Sequence, residues 1–214
     1  MSLRIGINGG TFDPIHFGHL RPALEVLEAC QLDQMRFIPC RQPVHRDCPQ
    51  VSAQDRLEMV RRAIAPVPEF ILDPREMERD GPSYMVDTLA SLHADFPKAT
   101  LVLMMGQDAF AAFDHWHQWR EILQRAAVVV TQRPEAPGSV PDPLRAYLFE
   151  GPLDQLTAGQ VGFLAVTQLA ISATDIRRRL QAGKRVNYLL PQTVLDYIEH
   201  KGLYGRDSRE RSSG

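Results

Sequence analysis

Apolar residues along the chain fall into short unbroken runs, separated by stretches with a helical period. Leu3–Ile7 (LRIGI) is the first run; a Gly-rich turn follows, then an amphipathic stretch from Gly18 to Cys30. Met35–Pro39, Phe70–Leu72, Leu101–Met105, Ala127–Thr131 and Val161–Val166 read as further strands. Between them, Ser52 opens a helix with an apolar stripe of Leu57, Val60, Ala63 and Ile64, and Tyr84–Phe96 forms another. Ser172–Leu180 and Pro191–His200 predict two C-terminal helices, the second with Pro191 near its first turn. Arg133–Leu144, with four prolines and a glycine, predicts a loop.

Runs that are apolar throughout suit strands buried on both faces, and strand–helix alternation suits a parallel sheet covered on both sides. The expected fold is therefore α/β, a doubly wound Rossmann-like sheet in a single domain over residues 1–205. A small helical appendage is expected from about residue 174, and residues 206–214 (RDSRERSSG) form a polar tail expected to be disordered.

Composition narrows the partners. Among 214 residues, 24 Lys+Arg face 26 Asp+Glu, a net charge of −2, which argues against a broad electrostatic grip on nucleic acid. Basic residues must then act locally, on a small anion. No window reaches the roughly eighteen apolar residues of a membrane span. The N-terminal run reads as a buried strand rather than a signal peptide. The three cysteines Cys30, Cys40 and Cys48 fit reduced thiols of the cytoplasm. Cys40, His45 and Cys48 match no common zinc spacing and lack a fourth nearby ligand. Nothing in the sequence speaks to oligomeric state.

In open α/β sheets, ligands bind beyond the carboxyl ends of the strands. The first strand leads into Asn8-Gly9-Gly10-Thr11-Phe12-Asp13-Pro14-Ile15-His16-Phe17-Gly18-His19. Glycines let the backbone approach a phosphate closely, and free N–H groups can cradle it. His16 and His19, three apart, share one side of a helix start whose dipole favours an anion. This is neither a Walker loop nor a G-x-G-x-x-G fingerprint. Paired histidines at helical spacing are also ordinary surface or core residues, so the whole string carries the signal.

GGTFDPIHFGHL resembles the signature of the H-x-G-H nucleotidyltransferases. Downstream, Ile171-Ser172-Ala173-Thr174-Asp175-Ile176-Arg177 resembles their second motif, I-S-S-T-x-I-R. Pro43–Arg46, Gly81–Leu89, Met105–Asp108, Trp116–Trp119 and Tyr188–Pro191 narrow the resemblance to the bacterial nicotinate-nucleotide adenylyltransferases. It extends from about Ile5 to about Ile198. Ala173 replaces the usual second Ser, and Val44 a usual Pro, which predicts a changed phosphate affinity rather than lost activity.

The resemblance implies that ATP and nicotinate mononucleotide give deamido-NAD and pyrophosphate, with Mg²⁺ carried by the phosphates and water rather than by a protein metal site. The acceptor is already a phosphate dianion, so positioning and electrostatics supply the catalysis without a covalent nucleophile. His16, His19 and Arg177 are the implied catalytic residues. Gly10, Thr11, Phe12, Gly106, Asp108, Ile171, Ser172, Thr174 and Arg177 are implied to bind ATP. His45, Arg46, Tyr84, Thr88 and Trp116 are implied to bind the mononucleotide, with Trp116 stacking on the pyridine ring. Each has an ordinary alternative: Asp108 as a helix N-cap, Trp116 as core, and Arg177 as part of a solvated face with Arg178 and Arg179. Phosphopantetheine and nicotinamide-preferring adenylyltransferases share H-x-G-H, but S-Y-x-x-D-T-L and W-x-x-W favour the nicotinate form. A class I aminoacyl-tRNA synthetase fragment would need a K-M-S-K-S loop, which is absent. A non-catalytic nucleotide sensor would tolerate loss of His19, which is present.

Overall fold

Every apolar run becomes a strand in the computed structural model, which describes residues 2–42, 48–132, 139–167 and 169–205. The strands are β1 (Arg4–Gly10), β2 (Gln34–Pro39), β3 (Phe70–Leu72), β4 (Thr100–Gly106), β5 (Ala127–Gln132) and β6 (Val161–Ala165). They form one parallel sheet in the order β3-β2-β1-β4-β5-β6. That is the order of the doubly wound dinucleotide-binding fold, and it places the topological switch between β1 and β4. Ile7 lies opposite Leu103 across that switch, and Gly10 opposite Pro39 on the other side. All carboxyl ends therefore leave the same edge.

The pleat explains why the runs are apolar throughout. On β4, Leu101, Leu103 and Met105 enter one core while Val102 enters the other. On β5, Val128 and Val130 alternate with Ala127 and Val129 in the same way. One face is covered by α1 (Phe17–Ala29), α2 (Ala53–Ile64), α7 (Ala173–Gln181) and α8 (Gln192–Lys201). The other is covered by α4 (Met85–Asp95) and α6 (Trp119–Arg125). Ile176, Val194, Leu195 and Ile198 join the same core as α1 and α2, so the C-terminal helices are part of one face of the sandwich.

Several local expectations change. The buried face of α2 is Arg56, Met59, Val60, Ala63 and Ile64, with Leu57 only half-buried. A helical stripe drawn from apolar residues alone cannot find a buried arginine. The predicted loop ends in a 3-10 helix, Asp142–Tyr147, that runs past it and buries Leu144 completely, while residues 133–138 lie outside those described. Pro191 caps α8 rather than lying inside it. The short helices α3 (Arg75–Glu78) and α5 (Gln107–Phe110) span about one turn, too little for a 3.6-residue period to register. The polar tail beyond Gly205 also lies outside the described residues. Among the described residues, no helix is long and apolar enough to cross a membrane.

Candidate active site

At the carboxyl edge, β1 runs into Thr11 and Phe12, and Phe12 turns with φ of 49°. His16 is the N-cap of α1 and His19 lies in its first turn. Their rings stack with centroids 3.8 Å apart and planes at 28°. The His16 N–H donates to His19 Nδ1 at 3.3 Å. In a neutral His19 that acceptor role leaves the proton on Nε2, the donor turned away from the cap. Phe12 meets His19 edge-on at 5.2 Å and backs the pair with apolar surface. His16 is 4% exposed, and burial lowers its pKa from 6.5 to about 4, so its imidazole is neutral at pH 7.

Gly18 explains the spacing of H-x-G-H. A Cβ there would come within 2.9 Å of the His16 ring and 3.2 Å of the Ile171 carbonyl. The two sequence motifs thus touch at a point where a side chain does not fit. They meet a second time through Arg177, whose Nη1 donates to the Asp13 carbonyl at 2.7 Å and Nη2 to Thr174 Oγ1 at 3.4 Å. Arg178 instead turns outward to Asp175 and Arg179 to the Arg185 carbonyl. Arg177 therefore does not belong to the solvated basic face. Its Nε is buried with no partner among the described residues, as are His16 Nδ1 and Asn8 Nδ2.

Asp13 is the hub of this junction. Its Oδ1 accepts the Tyr204 hydroxyl at 2.6 Å and Oδ2 the Gln50 N–H at 2.9 Å. Burial and the Asp13 carboxylate both push the Tyr204 hydroxyl far above its ordinary pKa, so it stays a donor. The Ser172 hydroxyl caps α7, accepting from the Asp175 N–H at 3.1 Å. Across the switch, Gly106 is the N-cap of α5 and Asp108 lies exposed in its first turn. The alternative of Asp108 as a cap therefore does not hold.

A second group gathers around the start of α4. Tyr84 is its N-cap, half-buried, with its ring 4.4 Å from His117. Trp116 packs edge-on against buried Phe113 at 5.5 Å and is half-buried rather than a free loop residue. Arg120 lies over Trp119, not Trp116. Thr88 is fully buried, and its hydroxyl donates to Glu76 Oε1 at 2.6 Å. Thr88 thus faces inward, toward a carboxyl whose pKa burial raises. His45 and Arg46 lie outside the described residues. His117 and Asp13 carry no sequence signal of their own: one simply follows a tryptophan, and the other looks like an ordinary turn residue before proline. Of the cysteines, Cys30 and Cys40 are buried and Cys48 exposed, all with free thiols. Among the described residues no cluster of three His, Cys, Asp or Glu could hold a metal ion.

Comparison with known proteins places this geometry in a family. Residues 7–179 match the cytidylyltransferase-like family. The chain is 53% identical over 202 residues to the "Probable nicotinate-nucleotide adenylyltransferase" of Hydrogenovibrio crunogenus, covering 94% of this chain and 97% of that one. It is 49% identical over 210 residues to the protein of the same name from Pseudomonas fluorescens, covering 95% and 98%. In fold it is similar to nicotinic acid mononucleotide adenylyltransferase of Plasmodium falciparum, solved in complex with NaAD, at a TM-score of 0.72 and 18% identity over 94% of this chain and 97% of that one. The chain belongs to the nicotinate-nucleotide adenylyltransferases, within the cytidylyltransferase-like family.

Proposed function

We propose that this chain transfers the adenylyl group of Mg-ATP to nicotinate mononucleotide, forming deamido-NAD and pyrophosphate in NAD biosynthesis. The observation that carries the reading is the double junction of the two motifs, Gly18 against the Ile171 carbonyl and Arg177 on the Asp13 carbonyl at 2.7 Å, at the switch point of the sheet. An oxygen of the acceptor phosphate attacks the α-phosphorus. The α–β bridging P–O bond breaks in line, and pyrophosphate leaves with that electron pair. No covalent enzyme intermediate is required.

In this reading the N–H groups at Gly10, Thr11 and Phe12 hold nucleotide phosphates. His16 and His19 donate N–H groups to phosphate oxygens, His19 acting on the charge that grows at the α-phosphate. Arg177 clamps the departing β- and γ-phosphates, with Thr174 and the α7 N-terminus beside it. Ser172 acts through the cap it forms, and Ile171 through its carbonyl contact with the α1 turn. Gly106 and Asp108 take the adenosine ribose. Mg²⁺ enters as part of the substrate, on phosphate and water ligands.

Tyr84, His117 and Trp116 form the aromatic wall for the pyridine ring, and Thr88 positions Tyr84 from beneath. The ring carboxylate is bound by N–H groups in the first turn of α4, which the helix itself leaves unpaired. His45 and Arg46 take the acceptor phosphate. Residues 1–205 act as one domain, in the cytoplasm, without nucleic-acid partners. The test is to incubate the protein with Mg-ATP and a panel of phosphorylated acceptors, following pyrophosphate and dinucleotide together. Release of both with nicotinate mononucleotide is the expected result; pyrophosphate release with a different acceptor alone would replace the reading.

A further inference from the structure

Arg56 is the largest fully buried side chain, 1% exposed, and its guanidinium makes no salt bridge among the described residues. Three backbone carbonyls hold it instead. Nη1 donates to Thr11 O at 2.8 Å and to Cys40 O at 2.7 Å, and Nη2 donates to Arg41 O at 3.3 Å. Burying a cation without a carboxylate is costly, so a simple packing role would favour an apolar residue of the same volume.

The geometry points to Arg56 as a positioning strut that sets the phosphate loop of the donor side against the acceptor side. A trans peptide is planar, so its C=O and N–H point in opposite directions. Two of the three peptides held by Arg56 demonstrate the consequence. The Cys40 and Arg41 carbonyls turn inward to the guanidinium, and their partner N–H groups, on Arg41 and Gln42, turn to Ser83 Oγ at 3.2 and 3.4 Å. Ser83 directly precedes Tyr84, the cap of α4. The third peptide has its carbonyl on Thr11 and its N–H on Phe12. Pinning the carbonyl inward turns the Phe12 N–H toward the outside of the loop, where the proposed function needs a phosphate donor.

A single guanidinium therefore orients the Phe12 donor and, through Ser83, the aromatic acceptor wall. Its charge is not cancelled by a carboxylate in contact, so it also adds positive potential behind the anion site. Cys40, held on the same carbonyl, bonds Thr11 Oγ1 at 3.7 Å, and its N–H donates to Gly10 O at 2.9 Å. These contacts tie the β1 and β2 ends into one rigid unit around the strut.

This inference rests on the proposed function for its kinetic arm, so a binding arm accompanies it. Arg56→Met keeps the volume and removes charge and fork; Arg56→Lys keeps the charge alone. Calorimetric binding of a non-hydrolysable ATP analogue is expected to weaken at least about tenfold in Arg56→Met and less in Arg56→Lys. In turnover, kcat is expected to fall at least about tenfold with Met and to recover in part with Lys. Ser83→Ala, at a half-exposed hydroxyl, is expected to fold, to raise KM for the mononucleotide at least about threefold and to leave KM for ATP unchanged. Analogue binding within twofold of the parent in folded Arg56→Met overturns the strut; if the Met chain does not fold, Arg56→Gln, which keeps a planar donor but loses charge and fork, replaces it and is judged by the same twofold limit. An unchanged mononucleotide KM in Ser83→Ala overturns its acceptor end. If the parent itself transfers nothing, the proposed function fails, and the analogue-binding arm still decides the role of Arg56.

Discussion

Arg177 and Asp13, 164 positions apart in sequence, meet at 2.7 Å between the guanidinium Nη1 and the Asp13 main-chain carbonyl. The Asp13 carboxylate stands farther off, with Oδ2 at 3.8 Å, because Tyr204 and Gln50 already occupy its oxygens. The guanidinium is thus aimed by a neutral carbonyl at 2.7 Å and paired with the carboxylate only at the longer distance of 3.8 Å. A cation held this way keeps its attraction for a phosphate while losing its freedom to wander.

Arg177→Lys tests that arrangement. Lysine retains the charge but cannot hold the Asp13 carbonyl and Thr174 while also gripping phosphate as a fork. The expected outcome is a fall of about tenfold to a hundredfold in kcat/KM for ATP, with the melting temperature nearly unchanged. Steady-state kinetics at varied ATP checks it. Parental kinetics in this variant would mean that Arg177 only ties the two motifs together.

His19→Ala removes the ring stacked on His16 and, in the proposed function, the donor to the reacting phosphate. Interactions made chiefly in the transition state lower kcat more than they raise KM. The expectation is a loss on the order of a hundredfold in kcat, with KM for ATP changed by less than about threefold. Rapid-quench measurement of the chemical step separates this from slow product release. An unchanged chemical step would remove His19 from the reaction.

Burial of His16 makes folding stability depend on pH. Its pKa falls from 6.5 to about 4, so between those values the unfolded chain takes up a proton that the folded chain refuses. Stability from this group is therefore full above pH 6.5 and is lost as pH drops toward 4. Between pH 7 and pH 5 the loss from this residue amounts to about 2 kcal/mol. Urea unfolding of the parent and of His16→Asn at both pH values checks this. The Asn variant is expected to lose about 2 kcal/mol less over the same interval; identical losses would show that His16 does not set the slope.

The fold was legible because buried parallel strands advertise themselves as unbroken apolar runs. All six were readable, from Leu3–Ile7 through Val161–Val166, and even the N-caps Ser52 and Ser172 carried their usual signal. What sequence patterning could not show was the fate of polar residues inside. Arg56 looks like any charged position on an amphipathic helix, and only the convergence of Thr11, Cys40 and Arg41 carbonyls gives it a buried site. Thr88 looks like a pocket hydroxyl, yet Glu76, four residues past the end of β3, captures it. Asp13 draws its importance from Tyr204, near the opposite end of the chain, a pairing no local pattern encodes.

Acceptor choice is the most exacting test of the account. If N–H groups at the start of α4 and the Tyr84–His117 wall receive the pyridine ring, the site offers donors to the ring substituent. A carboxylate is then satisfied, whereas a carboxamide turns its own N–H₂ toward donors and leaves buried polar groups unpaired. The deciding measurement is kcat/KM for nicotinate mononucleotide and for nicotinamide mononucleotide, with saturating Mg-ATP and quantified dinucleotide product. At least about a hundredfold preference for the acid is expected. Equal efficiency with the two mononucleotides, or a preference for the amide, would contradict it.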